Sequence, residues 1–335
     1  MYIRSVRLVD LVRYGRLNRH VLRLNLPESA VVGLSPLRVS VQSWLPGASG
    51  LRTFVLGDER PRAFIQMATR DHGHIWSVLA LGGEPAPVEP ETCGDPAHPW
   101  LLLLTSAAVL ATRRQVTRLL AKAPETAPEL ACFRQAGFQT YGRELIYTRA
   151  YLPGDRLVEA GGAPRPQRGG DAWAIHRLYF QTAPRAVQDA EAHTSNRWEL
   201  RKGRPGGVRE QGWLLEDGAE TLAYARTLSR RRRHLAEWLF QPAERELLPR
   251  LLRQTLARLP AAPGDLVYWR LPEYQAEAEA TLLAAGFTLA TTQTLMVKFL
   301  AVKAAARERS FAPAARAKAR RVPSIQSYLR RAGES

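Results

Sequence analysis

Cysteine is nearly absent from this chain: Cys93 and Cys132 are the two in 335 residues. Two are too few for a disulfide framework, and no spaced partners complete a zinc site. The expectation is therefore reduced thiols, a reducing compartment and no structural metal. Long apolar runs are missing too. The longest, Trp100 to Ala111, is interrupted by Thr105 and Ser106 and falls short of the ~20 residues that cross a bilayer, so it reads as a buried helix with no membrane partner. The first eleven residues carry Arg4, Arg7 and Asp10 and lack the apolar core of a secretion signal, which points to the cytoplasm. Acid is scarce relative to base: 31 Asp and Glu face 48 Lys and Arg, a net charge of +17. Such a surplus attracts nucleic acid, an acidic membrane surface or the phosphates of a cofactor, without choosing among them.

What is present is a folding sequence. Apolar residues make up 45% and charged residues 24%, close to the globular average, and the length suits two domains. Between Tyr151 and Asp171, Gly and Pro cluster and hydrophobic periodicity stops, the composition of a linker. The expected division is residues 1–150, a linker at 151–170, a second domain at 171–303, and a basic tail at 304–335 that is expected to be disordered.

An internal repeat supports two copies of one unit. Each copy opens on an apolar strand, reaches Pro124-Glu125 or Pro272-Glu273, continues as a helix, and closes on Ala136-Gly137-Phe138 or Ala285-Gly286-Phe287 before a final strand. Glycine just past a last helical turn adopts positive φ without a steric penalty, and the Phe after it can fold back onto a core. Upstream, strands are expected near residues 3–13, 51–56, 64–69 and 75–81 and a helix from Trp100 to about Arg114. In the second half, helices are expected at 172–183 and about 191–200, strands at 212–215, 221–228 and 235–240, and a helix at 243–259. This alternation predicts an α/β fold: a mixed sheet with helices on both faces.

The element order and the repeated helix-Ala-Gly-Phe-strand unit resemble the GNAT superfamily of acyl-CoA-dependent N-acetyltransferases, as a tandem pair over roughly residues 1–150 and 171–303. The resemblance implies two GNAT-like folds, acetyl-CoA as cofactor, a small-molecule or peptide amine as acceptor, and a splay between the fourth and fifth strands that admits a pantetheine arm. It also implies a glycine-rich phosphate loop after the fourth strand. Here that stretch reads Gln241-Pro242-Ala243-Glu244-Arg245-Glu246, which leaves Gln241 and Arg245 as the cofactor contacts. Thr126 and Gln275 stand where the family places an asparagine that contacts the cofactor. The family's tyrosine proton donor is replaced by Phe133 and Leu282.

Amine acylation needs a base, and Glu237, in the apolar stretch His234 to Phe240, is the candidate: partial burial would raise its pKa toward neutrality. The alternative for Glu237 is an ion pair with an arginine of the run Arg230-Arg231-Arg232-Arg233. That run and the basic tail are also the candidates for gripping phosphate of CoA or of a nucleic acid. Asp71-His72-Gly73-His74 reads as a hairpin turn. Two readings stay open beside the transferase: a catalytically degenerate tandem that binds a ligand or partner, and a basic nucleic-acid-binding protein.

Overall fold

The structure, a computed structural model, describes residues 3–7, 9–10, 20–33, 35–44, 50–57, 61–70, 73–83, 93, 95–157, 164–201 and 207–301. The tail, Asp71, His72 and most of the Pro-rich stretch before residue 93 lie outside them.

In chain order the first half comprises β1 (Ile3–Ser5), β2 (His20–Arg23), α1 (Leu26–Val32), α2 (Pro36–Trp44), β3 (Leu51–Leu56), β4 (Ala63–Arg70), β5 (Ile75–Gly83), α3 (Pro99–Arg113), β6 (Arg118–Pro124), α4 (Leu130–Gln135) and β7 (Gln139–Ala150). The second comprises β8 (Arg165–Pro166), α5 (Ala172–Thr182), α6 (Arg185–Glu191), β9 (Arg209–Asp217), β10 (Glu220–Arg230), β11 (Arg233–Phe240), α7 (Leu248–Ala257), β12 (Leu266–Pro272), α8 (Glu279–Ala284) and β13 (Thr288–Phe299). The predicted α/β alternation stands, with four local differences. The strand expected at 3–13 ends at Ser5, and residues 9–10 are helical. The helix expected at 191–200 lies earlier as α6. The helix expected at 243–259 begins as a 3-10 turn, Pro242–Leu247, with Glu244 at φ −101°, and becomes α-helical at Leu248 with a proline in its first turn, where a missing N–H costs nothing. The segment holding α1 and α2 carried no sequence signal strong enough to be read.

The two Ala-Gly-Phe units end their helices in the same way. Gly137 and Gly286 have φ of 81° and 80°. The Phe138 and Phe287 amides donate to the carbonyls of Phe133 and Leu282, both at 3.0 Å, while the glycine amides donate to Arg134 and Leu283 at 2.9 Å. This is the paired closure of a Schellman end, whose apolar contact joins the residue after the glycine to the one five positions earlier. The Phe133 and Phe138 rings lie 5.2 Å apart, edge to face. An apolar residue at Phe133 and Leu282 is thus what the helix end itself uses. Burying Phe138 and Phe287 contributes roughly 1.5–3 kcal/mol each.

Each half keeps a main core cluster of its own, with Met296 joining the first and Tyr147 and Tyr151 the second; the strands nevertheless join into one 13-stranded sheet, ordered β1-β3-β4-β5-β6-β13-β7-β12-β11-β10-β9-β8 with β2 beside β5. The last strands are exchanged. β13 pairs antiparallel with β6 of the first half, and β7 with β12 of the second. β7 and β13 also pair with each other about a local two-fold: Gln139 opposes Val297, Thr288 opposes Thr148, and Glu144 faces Gln293 at the centre. With the two Ala-Gly-Phe units aligned, these are equivalent positions. Each strand bulges once, at Tyr141 and at Ala290, again equivalent. Alternate residues of β9 to β11 serve opposite faces: Leu215, Ala223 and Trp238 pack with α7 and α8, whereas Leu214, Tyr224 and Leu239 pack with α5 and α6.

Cys93 and Cys132 form a disulfide, with Cα atoms 4.9 Å apart and both residues fully buried. This corrects the expectation of free thiols. A count of cysteines excludes a framework of bridges, but it cannot say whether α4 carries one cysteine onto the segment that precedes α3.

Candidate active site

Two parallel strand pairs open in this sheet, one in each half. β5 and β6 pair only from Ile75–Arg118 to Ser77–Leu120, although both continue well beyond. The gap is filled by the chain itself: the Leu24 amide donates to Leu79 at 2.9 Å and the Asn25 amide to Lys122 at 2.8 Å, so one residue bonds each lip. Asn25 does this at φ 52°, a conformation asparagine tolerates better than most residues. β11 and β12 pair as far as Glu237–Arg270 and then diverge. The 3-10 segments that follow them, Pro242–Leu247 and Glu273–Ala278, pack on each other at the open end.

Beside this second opening lies a chamber of about 80 Å³, lined by the adjacent residues Trp238 and Leu239 of β11, by Arg270 and Pro272 of β12, and by Tyr274. Asn25, Glu28, Arg70, Glu191, His193 and Arg197 line both the chamber and an outer cleft of about 1220 Å³, so the two spaces are continuous. The bulge at Tyr141 lets that residue reach the chamber, a common use of a bulge beside a site.

Charge in the chamber is dense and paired. Arg270 Nη1 meets Glu237 at 2.9 Å, and its other guanidinium nitrogens lie 3.5 Å from Glu144 and 3.7 Å from Glu28. Lys122 meets Glu144 at 2.7 Å, Arg197 and Arg226 approach Glu237 at 3.4 and 3.5 Å, and Arg226 also binds Glu210. Burial opposes ionisation of Glu237, but Arg197 and Arg270 outweigh it and hold the carboxyl below the usual range. The expectation of a raised pKa at Glu237 is thereby corrected: burial came together with three guanidiniums, none of them from the run at residues 230–233. Glu28 is likewise driven well down, its burial outweighed by Arg70, Arg270 and Arg197.

Glu191 and His193 form the pair best suited to move a proton. His193 Nε2 lies 3.0 Å from Glu191 Oε2, and the Tyr141 and Tyr179 hydroxyls donate to the same carboxylate at 3.3 and 3.2 Å. A carboxylate only accepts, so Nε2 carries the hydrogen and Nδ1 keeps its lone pair. Burial lowers the pKa of His193 despite the opposing pull of Glu191, which keeps the ring neutral at pH 7. Between the two residues Ala192 adopts φ 42°, ψ 46° as α6 ends. A left-handed alanine costs roughly 1–2 kcal/mol, and here it turns the chain so that residues two apart face one another. Tyr274 in the chamber is kept protonated by burial and by nearby carboxylates.

The residues expected from the sequence are placed unevenly. Glu237 lines the chamber. Gln275 is buried, 2% exposed, and among the described residues neither of its amide atoms finds a partner, nor does the Trp238 indole nitrogen. Gln241 donates to Glu220 at 2.8 Å, Arg245 is exposed, and Thr126 is exposed in the turn before α4; none of these three lines either cavity, and neither does Gln275. In the arginine run, Arg230 donates to the Val32 carbonyl at 2.7 Å and Arg233 to Ala30 at 3.4 Å, where the C-terminal end of α1 attracts cations. Arg232 meets Asp265 at 3.0 Å, and Arg231 makes the turn at φ 51°. Of the expected hairpin turn, Gly73 and His74 are described, Gly73 at φ 96°. Sequence reasoning missed Glu191, His193, Arg197, Arg270 and Tyr274, because a Glu-x-His spacing and isolated arginines carry no signal until the sheet gathers them.

No protein-family model matches the chain, and no curated protein matches it. Among solved structures it is similar to a GCN5-related N-acetyltransferase from Sphaerobacter thermophilus, at 12% identity over 89% of this chain and 95% of that one, TM-score 0.49. It is also similar to a tandem GNAT protein from the clavulanic acid biosynthesis pathway, at 14% identity over 84% and 98%, TM-score 0.44. A functionally unknown conserved protein from Staphylococcus epidermidis follows, at 12% identity over 73% and 93%, TM-score 0.47.

Proposed function

We propose that the chain is an acyl-CoA-dependent N-acyltransferase with one working site, in the cleft beside the β11–β12 opening. The observation that carries this reading is the Glu191–His193 pair at the junction of chamber and cleft. The first half offers no equivalent opening, since Leu24 and Asn25 occupy it. The second does: the Trp238 indole, unpartnered among the described residues, lines its chamber, and the unpartnered Gln275 follows the lining residue Tyr274; both suit the amide-rich arm of a pantetheine, because a buried polar group without a partner costs about 1–3 kcal/mol that a ligand can recover. These residues fit the arm and the acyl end of the cofactor, while Glu244 and Glu246 stand where its phosphates would be held.

Acyl-CoA would supply the activated thioester. The neutral His193 takes the proton of the attacking amine at Nδ1, with Glu191 holding Nε2–H and stabilising the imidazolium that forms. The His193 imidazolium returns that proton to the leaving thiolate, to which the Tyr274 hydroxyl, held protonated, can donate a hydrogen bond. Glu237, permanently ionised, orders Arg197 and Arg270 rather than acting as base.

A second reading, ligand binding without turnover, is favoured by the acidic stretch in place of a phosphate loop. Thermal unfolding with acetyl-CoA, with CoA and with neither separates the outcomes, since a ligand that binds the native state raises the midpoint with concentration. Stabilisation by CoA together with thiol release in the presence of amines supports transfer. Stabilisation without thiol release supports the second reading, and no response at millimolar CoA removes both as CoA-linked functions.

A further inference from the structure

The far wall of the outer cleft carries two guanidiniums that the acyl-transfer chemistry does not use. Arg52, on β3, and Arg114, at the end of α3, both line the cleft, and both stand over the ring of the buried Trp76, at 5.4 and 5.9 Å from its centroid. Three of the other four arginines that line the cleft are paired: Arg70 meets Glu28, Arg197 meets Glu237, and Arg226 meets Glu210. Among the described residues Arg52 and Arg114 make no ion pair with a carboxylate, and Arg52 Nε is buried without a hydrogen-bond partner. Burial and the neighbouring Arg114 both disfavour the charged form of Arg52. Arg52 is half-buried and Arg114 exposed; two like charges held side by side, one of them partly desolvated, are unfavourable on their own, and the arrangement is relieved by an anion. Guanidinium forks match the oxygens of phosphate bidentately, and a dianion offsets two cations where a single carboxylate offsets one. The cation–π contact of each guanidinium with Trp76 restrains both groups beforehand and so reduces the ordering that opposes binding.

We propose that Arg52 and Arg114, seated on Trp76, form a binding site for a phosphate monoester carried by the ligand that occupies the cleft. With the transfer reading above, on which this clause alone rests, the acceptor is an amine that bears a phosphate group. The anion site itself is tested without turnover. Inorganic phosphate is titrated into the full chain by calorimetry at constant ionic strength, with acetate as the monoanionic control. Arg52→Gln, Arg114→Gln and the double variant are compared with Arg231→Gln, which alters an arginine on the β10–β11 turn. Near-ultraviolet circular dichroism verifies that each variant keeps its aromatic packing, and Arg52→Lys retains the charge without the fork if Arg52→Gln fails to fold.

The expected result is saturable phosphate binding at one site, no binding of acetate, at least tenfold weaker phosphate binding in either single variant, and an unchanged affinity in Arg231→Gln. Equal phosphate affinity in wild type and double variant overturns the proposal. So does a loss of CoA-induced stabilisation in the double variant, which would assign the arginines to the cofactor. Binding of a single-stranded oligonucleotide that needs both arginines, with no binding of inorganic phosphate, also overturns it in favour of a nucleic-acid partner. Failure of CoA to stabilise the wild type, with phosphate binding intact, removes the transfer reading and leaves the anion site standing.

Discussion

His193 is an ordinary residue made useful by three neighbours. Glu191 fixes its tautomer, the two tyrosines fix Glu191, and the left-handed Ala192 brings the pair face to face. His193→Gln should lower kcat by about 10²–10⁴ with a much smaller change in KM, measured by thiol release. The pH profile of the wild type should show a limb that rises through a pKa below 6.5, because burial lowers that of His193 and only the neutral ring accepts a proton; the limb should vanish in the variant. Arg270 has a different part. Its removal leaves Glu237, Glu144 and Glu28 short of a shared cation, and Arg270→Ala should cost about 3–5 kcal/mol, read from the urea midpoint. Pairing it with Glu237→Gln should restore part of that loss, since one uncompensated carboxylate is then neutral.

At the scale of elements the strand exchange decides what can fold. β13 lies between β6 and β7, so neither half closes its own sheet. Residues 1–157 or 164–301 expressed alone should expose the unpaired edges of β6, β7 and β12 and aggregate. The two fragments expressed together should recover a monodisperse complex, with size-exclusion chromatography and circular dichroism as the readout; a well-folded single half would contradict the exchanged pairing. Much of this scale was legible beforehand. The Ala-Gly-Phe units fixed two helix ends to the residue, since a glycine at positive φ followed by a buried Phe is a local device. β3, β5 and α3 fell close to their expected bounds, since apolar runs bordered by turns specify them. The 3-10 start before α7 was not legible, because Pro242–Leu247 packs on the 3-10 segment that follows β12, a contact distant in sequence.

For the whole molecule, the paired carboxylates set the response to acid. His98, His176, His193 and His234 have pKa values below their ordinary 6.5, with burial the leading cause. The unfolded chain therefore binds more protons below that pH, and stability begins to fall there. Glu28, Glu191 and Glu237 are held below their ordinary 4.5 because the arginines and His193 outweigh burial, so their contribution is full above pH 4.5 and is lost as pH drops beneath it. Urea midpoints should be flat from pH 8 to 7, decline gently toward 5 and fall steeply between 4.5 and 3. A midpoint unchanged down to pH 3 would contradict the network of ion pairs.

The sequence by itself determined the duplicated α/β plan, the two closing helix ends and the surplus of positive charge, because each arises from spacing and residue type within a few turns of chain. Only the tertiary structure decided that the halves trade their last strands, that Leu24 and Asn25 fill one opening and leave the other, and that Glu191, His193, Arg270 and Tyr274 share a chamber. Those outcomes depend on contacts between residues more than a hundred positions apart, as between Asn25 and Arg270, and no local pattern records them.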